Sequence, residues 1–224
     1  MRAAETAARG KGLAMAAASC LDAAPRMKHA PCRFCRVYAL VLLALAAVVG
    51  VVDAAQLGFG LSKFGGYAAI TRVVALSTVT TLAPGVAGSA LLVAFVVWAH
   101  PFSVPALQAE LPRCLKRGLL VSLPGYFAAV VTAAGAGLGV AMLAFGVPWA
   151  ACRDALGVLL PRDWLFGALG ALVDAGLIVF LASRYLARLQ AGRSSLPMKL
   201  VLAWTFGTGL RMSVGLLFSM LMPS

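Results

Sequence analysis

Residues 165–183 read LFGALGALVDAGLIVFLAS, and residues 201–222 read VLAWTFGTGLRMSVGLLFSMLM. Each is an apolar block of transmembrane length broken by one charge near its centre, Asp174 in the first and Arg211 in the second. Either charge stands about nine to eleven residues from the ends of its block, roughly 15 Å deep at 1.5 Å per residue. Holding a charge there costs about 2.5–3.5 kcal/mol on insertion scales, so a chain that keeps two of them needs a compensating arrangement. Gly167, Gly170, Ala171, Asp174 and Ala175 recur at helical spacing, and Gly207, Thr208, Arg211 and Gly215 place the guanidinium in a similar stripe. Small residues mark helix contact faces in membranes, which turns both charges toward protein. Because the blocks are consecutive and antiparallel, the two side chains are expected to pair at equal depth.

Working outward, the whole chain has this character. Of its 224 residues 62% are hydrophobic and only 12% charged, and the apolar residues come in long uncharged runs. That composition belongs to a polytopic membrane protein. The net charge of +12 raises nucleic acid as a partner, but a phosphate-binding surface needs basic residues spread over a folded polar face. Here they cluster beside hydrophobic blocks, as topology signals do, so no nucleic-acid partner is expected and the lipid bilayer is. Five scattered cysteines are an odd number and argue against a disulfide framework. Outside the leader no polar segment exceeds about 20 residues, too short for a fold with its own core.

Residues 1–36 hold seven Lys or Arg and no apolar run long enough to span, and are expected to form a basic cytoplasmic arm. Met27-Lys28-His29 offers an alternative start that would leave residues 1–26 untranslated. From there Val37–Val52 would also read as the apolar core of a cleavable signal peptide. Residues 37–224 form a single polytopic domain with spans at about 37–55, 73–99, 121–147, 165–183 and 201–222. The expected fold class is thus all-α, a bundle of about five transmembrane helices. In the first span Asp53 shares a helix face with Gly50, Gln56 and Gly60 and is a third, weaker candidate charge near the boundary. In the second, the hydroxyl-rich run Leu76–Leu82 ends at Ala83-Pro84-Gly85, which predicts a kinked or interrupted helix. In the third, Ala128, Thr132, Gly135, Ala136 and Gly139 align as a packing face, and Trp149 is expected at the interface. Between the second and third spans, residues 100–118 carry Glu110, Arg113, Lys116 and Arg117. They read as a solvated loop or a short surface helix open to a cytoplasmic partner.

Fourteen Lys or Arg fall on the side of the leader and four on the other, Arg211 being within a span. The bias puts the amino terminus in the cytoplasm and, after five spans, the carboxyl terminus outside. The expected location is the inner membrane of a cell.

The expected activity is that of a small transporter or channel, or of the membrane subunit of a multicomponent transport system. Intramembrane Asp and Arg residues commonly mark ion or proton paths. The alternative is a non-catalytic scaffold or assembly factor in which the pair only fixes helix register. His29, Cys32 and Cys35 stand at three-residue spacing and are weak metal candidates, one ligand short of a site. An enzyme is not expected, and neither is a cofactor. His100 lies eleven residues from Ser89, about 16 Å along one helix and too far for proton transfer, and no paired metal motif or phosphate-binding loop is present.

Overall fold

In hydrocarbon, backbone N–H and C=O groups find partners most simply by coiling into helices, and the apolar runs do so. The computed structural model describes residues 33–61, 66–189 and Trp204; among them the chain is almost entirely helical and contains no strand. The helices are α1 (Arg33–Leu61), α2 (Gly66–Ser77), α3 (Ala83–Ala99), α4 (Val104–Phe145), α5 (Trp149–Gly157) and α6 (Pro161–Leu189), with a π-helical turn (Thr78–Leu82) between α2 and α3. Four stretches among the described residues are long and apolar enough to cross a membrane: Arg33–Gly58, Gly66–Ala99, Pro105–Phe145 and Pro161–Ser183. The architecture is that of several long apolar helices, compatible with a polytopic membrane protein. The expected fifth span lies outside the described residues except for Trp204.

Pro84 explains the π-turn. Proline has no N–H to donate, and its ring crowds the carbonyl four residues back. The chain widens by one residue just before it, so that the Ala83 N–H bonds the Thr78 carbonyl five residues back. The flanking residues Ser77 and Ala83 keep right-handed helical geometry. Gly66–Ala99 is therefore one helical path carrying a bulge, not two half-helices with free ends. Two hydroxyls of the run serve their own helix: Thr78 donates to the Val74 carbonyl at 2.8 Å and Thr80 to the Leu76 carbonyl at 2.9 Å.

The segment 100–118 departs from the sequence expectation of a loop or separate surface helix. From Val104 onward it is the first part of α4, a single helix of 42 residues with Pro112 and Pro124 inside it. Its charges lie on one side, while Leu107, Leu111 and Cys114 are buried on the other, and that apolar stripe outweighs the proline. α4 ends at Gly146, whose φ of 62° suits glycine and whose N–H caps the Ala141 carbonyl. Pro148 then starts α5, and α6 opens with a capping arrangement in which the Leu160 N–H bonds the Asp163 carboxylate at 3.0 Å.

α4 is the spine. α1 runs beside it in the same direction: Tyr38 meets Gly125, Gly50 meets Ala133 and Gly137, and Gly58 meets Phe145. α3 packs against α1, α4 and α6. At one end of the bundle Ala54, Ile70, Val74, Leu138, Ala141, Val147 and Cys152 form a core cluster. There α5 folds back along α2, with Trp149 exposed. At the other end Phe34, Phe95, Cys114 and Ile178 surround an apolar cavity of about 20 Å³.

α6 does not begin at the end of α4. Its first turn is level with Tyr126, nineteen residues before Phe145, because α5 has already carried the chain back to that depth.

Candidate functional site

Several buried polar groups are ranged along the α2–α3 path. At its middle, the hydroxyl of Tyr126 reaches from α4 and donates to the Val79 carbonyl inside the π-turn at 3.1 Å and to the Trp164 carbonyl of α6 at 3.3 Å. Tyr126 is fully buried, and its neighbour Phe127 stacks on Trp164 at 6.2 Å between ring centroids. A bulge loosens the regular i→i+4 ladder and leaves carbonyls in need of donors; a phenol from the facing helix supplies one. The arrangement needs a glycine opposite. A Cβ at Gly167 would run into both the Tyr126 hydroxyl and the Val79 carbonyl.

Two turns further along α6 stands Asp174, 2% exposed. Ala171 and Ala175 beside it are buried and Gly170 is half-buried. Across from it is Gly88 of α3: a Cβ there would lie 3.1 Å from the Asp174 Cβ and would strike the Trp204 ring. Asp174 therefore faces protein, in a tight space between α3 and the residue Trp204. Arg211, Gly207 and Gly215 lie outside the described residues.

Asp53 is not part of this group. It sits on α1 beside Ser77, the residue that enters the π-turn, where the serine hydroxyl faces its carboxyl group. Ser77 and Gly88 are eleven residues apart, about 16 Å of helix. The two carboxylates thus mark two separate levels of the α2–α3 path, with Tyr126 between them.

The small-residue faces divide. On α4 the close approach is made at Gly137, where a Cβ would lie 3.2 Å from both the Gly50 carbonyl oxygen and Val74, and at Gly125. At Gly135 and Gly139 nothing among the described residues comes within 4 Å of such an atom. Of the metal candidates, His29 and Cys32 lie outside the described residues and Cys35 is half-buried on α1. No group of three or more His, Cys, Asp or Glu side chains comes together among the described residues.

No known protein family, characterised protein or solved structure matches this chain. The chemistry available is that of the side chains themselves: two carboxylates on helices long and apolar enough to cross a membrane, and a phenol that bridges two helices. Ion pairs join Glu110 to Arg113 at 3.2 Å and Arg153 to Asp154 at 3.6 Å at the surface, and Arg162 to the half-buried Asp163 at 3.7 Å. Exposed pairs of this kind contribute little. Cys152, completely buried in the core cluster, has its thiol pushed up by that burial.

Tyr126, Ser77 and Gly88 did not stand out in the sequence. The available signal for Tyr126 was that it is the one titratable side chain in the run Gly118–Phe145. For Ser77 and Gly88 no local pattern separates them from their neighbours, since each matters through the helix it faces.

Proposed function

We propose that the protein is a multi-pass protein of the inner membrane, its amino terminus in the cytoplasm, that acts as a small transporter or channel or as the membrane subunit of a multicomponent transport system. Asp174 is the ion- or proton-binding carboxylate and Arg211 the charge that competes for it. The observation that carries this reading is the burial of Asp174 on a helix face of transmembrane length, next to a helix that carries a π-turn. Buried intramembrane carboxylates are expensive, and π-turns are frequent at functional sites. Trp204 adds support for the partner. It packs at Gly88 beside Asp174 and precedes Arg211 by seven positions in the sequence.

The charged side of α4 near Glu110, Arg113, Lys116 and Arg117 is the surface offered to a cytoplasmic partner or another membrane subunit. Arg113 and Glu110 are 75% and 45% exposed at their side chains.

A second reading is favoured by one feature. Gly88, Asp174 and Trp204 fit without spare room, which suits a carboxylate that only locks helix register in a non-catalytic scaffold. The experiment compares Asp174→Asn with the exchange Asp174→Arg plus Arg211→Asp, scoring assembly in the membrane and the phenotype of a deletion strain. The transport reading expects Asp174→Asn to assemble normally and lose activity, with the exchange failing to restore it. Full activity of the exchanged pair would overturn it in favour of the lock.

A further inference from the structure

We infer that Asp53 is a second proton-binding site, separate from Asp174, and that it holds its proton at the entrance to the π-turn. The geometry is specific. Asp53 as a residue is half-buried, but its Oδ2 is sealed from solvent and has no hydrogen-bond partner. Its other neighbour is the Ser77 hydroxyl. An ionised carboxylate with one oxygen buried and unpaired bears most of its desolvation penalty uncompensated, whereas the neutral acid leaves only a single hydroxyl without a partner.

A metal cation would also neutralise the charge, but among the described residues no group of three His, Cys, Asp or Glu side chains comes together. Hard cations take about six oxygen ligands. The hydroxyls of Thr71, Thr78 and Thr80 point at carbonyls of their own helix, and Ser77 is the hydroxyl described beside Asp53. Among the described residues Asp53 takes part in no ion pair. On α2 the titratable groups are Tyr67 and Arg72, both exposed. On α4 Tyr126 is committed to Val79 and Trp164, and in the adjoining core cluster Cys152 is a buried thiol. A proton is the ligand that fits one hydroxyl neighbour and one sealed oxygen. The inference stands independently of Asp174, since Asp53 can hold a proton whether or not anything is transported.

The test uses the full chain in phosphatidylcholine vesicles treated with dicyclohexylcarbodiimide, an apolar reagent that modifies carboxyl groups carrying a proton, with adducts located by peptide mass spectrometry across a pH series. Asp53 is expected to be modified at about pH 7 at least tenfold more than the half-buried Glu110 and the exposed Asp154, with the adduct lost in Asp53→Asn and retained in Asp174→Asn. In Ser77→Ala, where the ionised form loses its hydroxyl, the midpoint should move up by about one pH unit. Infrared spectra of the same vesicles should contain a protonated-carboxyl carbonyl band that titrates and is absent from Asp53→Asn. Labelling of Asp53 no stronger than that of Glu110 and Asp154, together with absence of the infrared band, would overturn the proposal. So would an unchanged midpoint in Ser77→Ala. Failure of the Asp174 reading would appear instead in the activity of Asp174→Asn, which this experiment does not score.

Discussion

The seam between α1 and α4 and the seam where α6 meets the π-turn are both closed by glycines, to opposite ends. Along the first, Gly50 accepts the backbone of Ala133, and Gly137 accepts the Gly50 carbonyl, Val74 and Ala54. Gly50 and Gly137 bring two helix backbones together, where dispersion over many close atom pairs holds them. Along the second, Gly167 makes room for the Tyr126 hydroxyl and Gly88 for Asp174 and Trp204. The glycines there shape space around polar groups. One seam holds the bundle, and the other holds its chemistry.

If that contrast is right, the largest effect belongs to the packing seam. Gly50→Leu places side-chain atoms against the Ala133 backbone, which cannot move aside, and should destabilise the protein by more than about 3 kcal/mol, seen as loss of monodisperse protein in detergent. Its control is Gly135→Leu on the same α4, where nothing described lies nearby. That variant should stay within about 0.5 kcal/mol of the parent, and an equal loss from both would erase the distinction.

The polar seam should respond more mildly and in a coupled way. Tyr126→Phe removes a donor shared by two carbonyls and should cost about 1 kcal/mol in thermal denaturation. Gly167→Ala should cost about 2–3 kcal/mol, and less when combined with Tyr126→Phe, because one of the two obstacles is gone while the Val79 carbonyl remains. Strict additivity would mean that Gly167 and Tyr126 do not share a site.

The smallest effect is a rate. Burial raises the Cys152 thiol, so at about pH 8 its thiolate fraction falls below that of an ordinary cysteine. Maleimide should therefore modify Cys152 more slowly than the half-buried Cys35, and the gap should close on unfolding. Equal rates in the folded protein would place Cys152 outside the core cluster.

Much of this was legible beforehand. The apolar runs gave the helices around 37–55, 73–99 and 165–183, and Pro84 marked a disturbance in the second. The form of that disturbance was not legible, because a π-turn and a broken helix begin from the same missing N–H. Arg72 in α2 and the charges of 100–118 made those segments look like boundaries, yet the helices run through them. In α4 the deciding stripe of Leu107, Leu111 and Cys114 is diluted by charged neighbours and by Pro112. Gly135 and Gly139 read as a contact face, while the close described approaches on that helix fall at Gly125 and Gly137.

What the sequence determined by itself is the helical, lipid-compatible character of the chain and the placing of Asp174 within a stripe of small residues. Composition and period are local properties, and hydrocarbon leaves a backbone few alternatives to the helix. The tertiary structure alone decided which helix each polar group faces: Tyr126 against the π-turn, Asp174 against Gly88, Asp53 against Ser77. Those pairings depend on the register between helices distant in sequence, which is set by where backbones can approach, and no single segment contains that information.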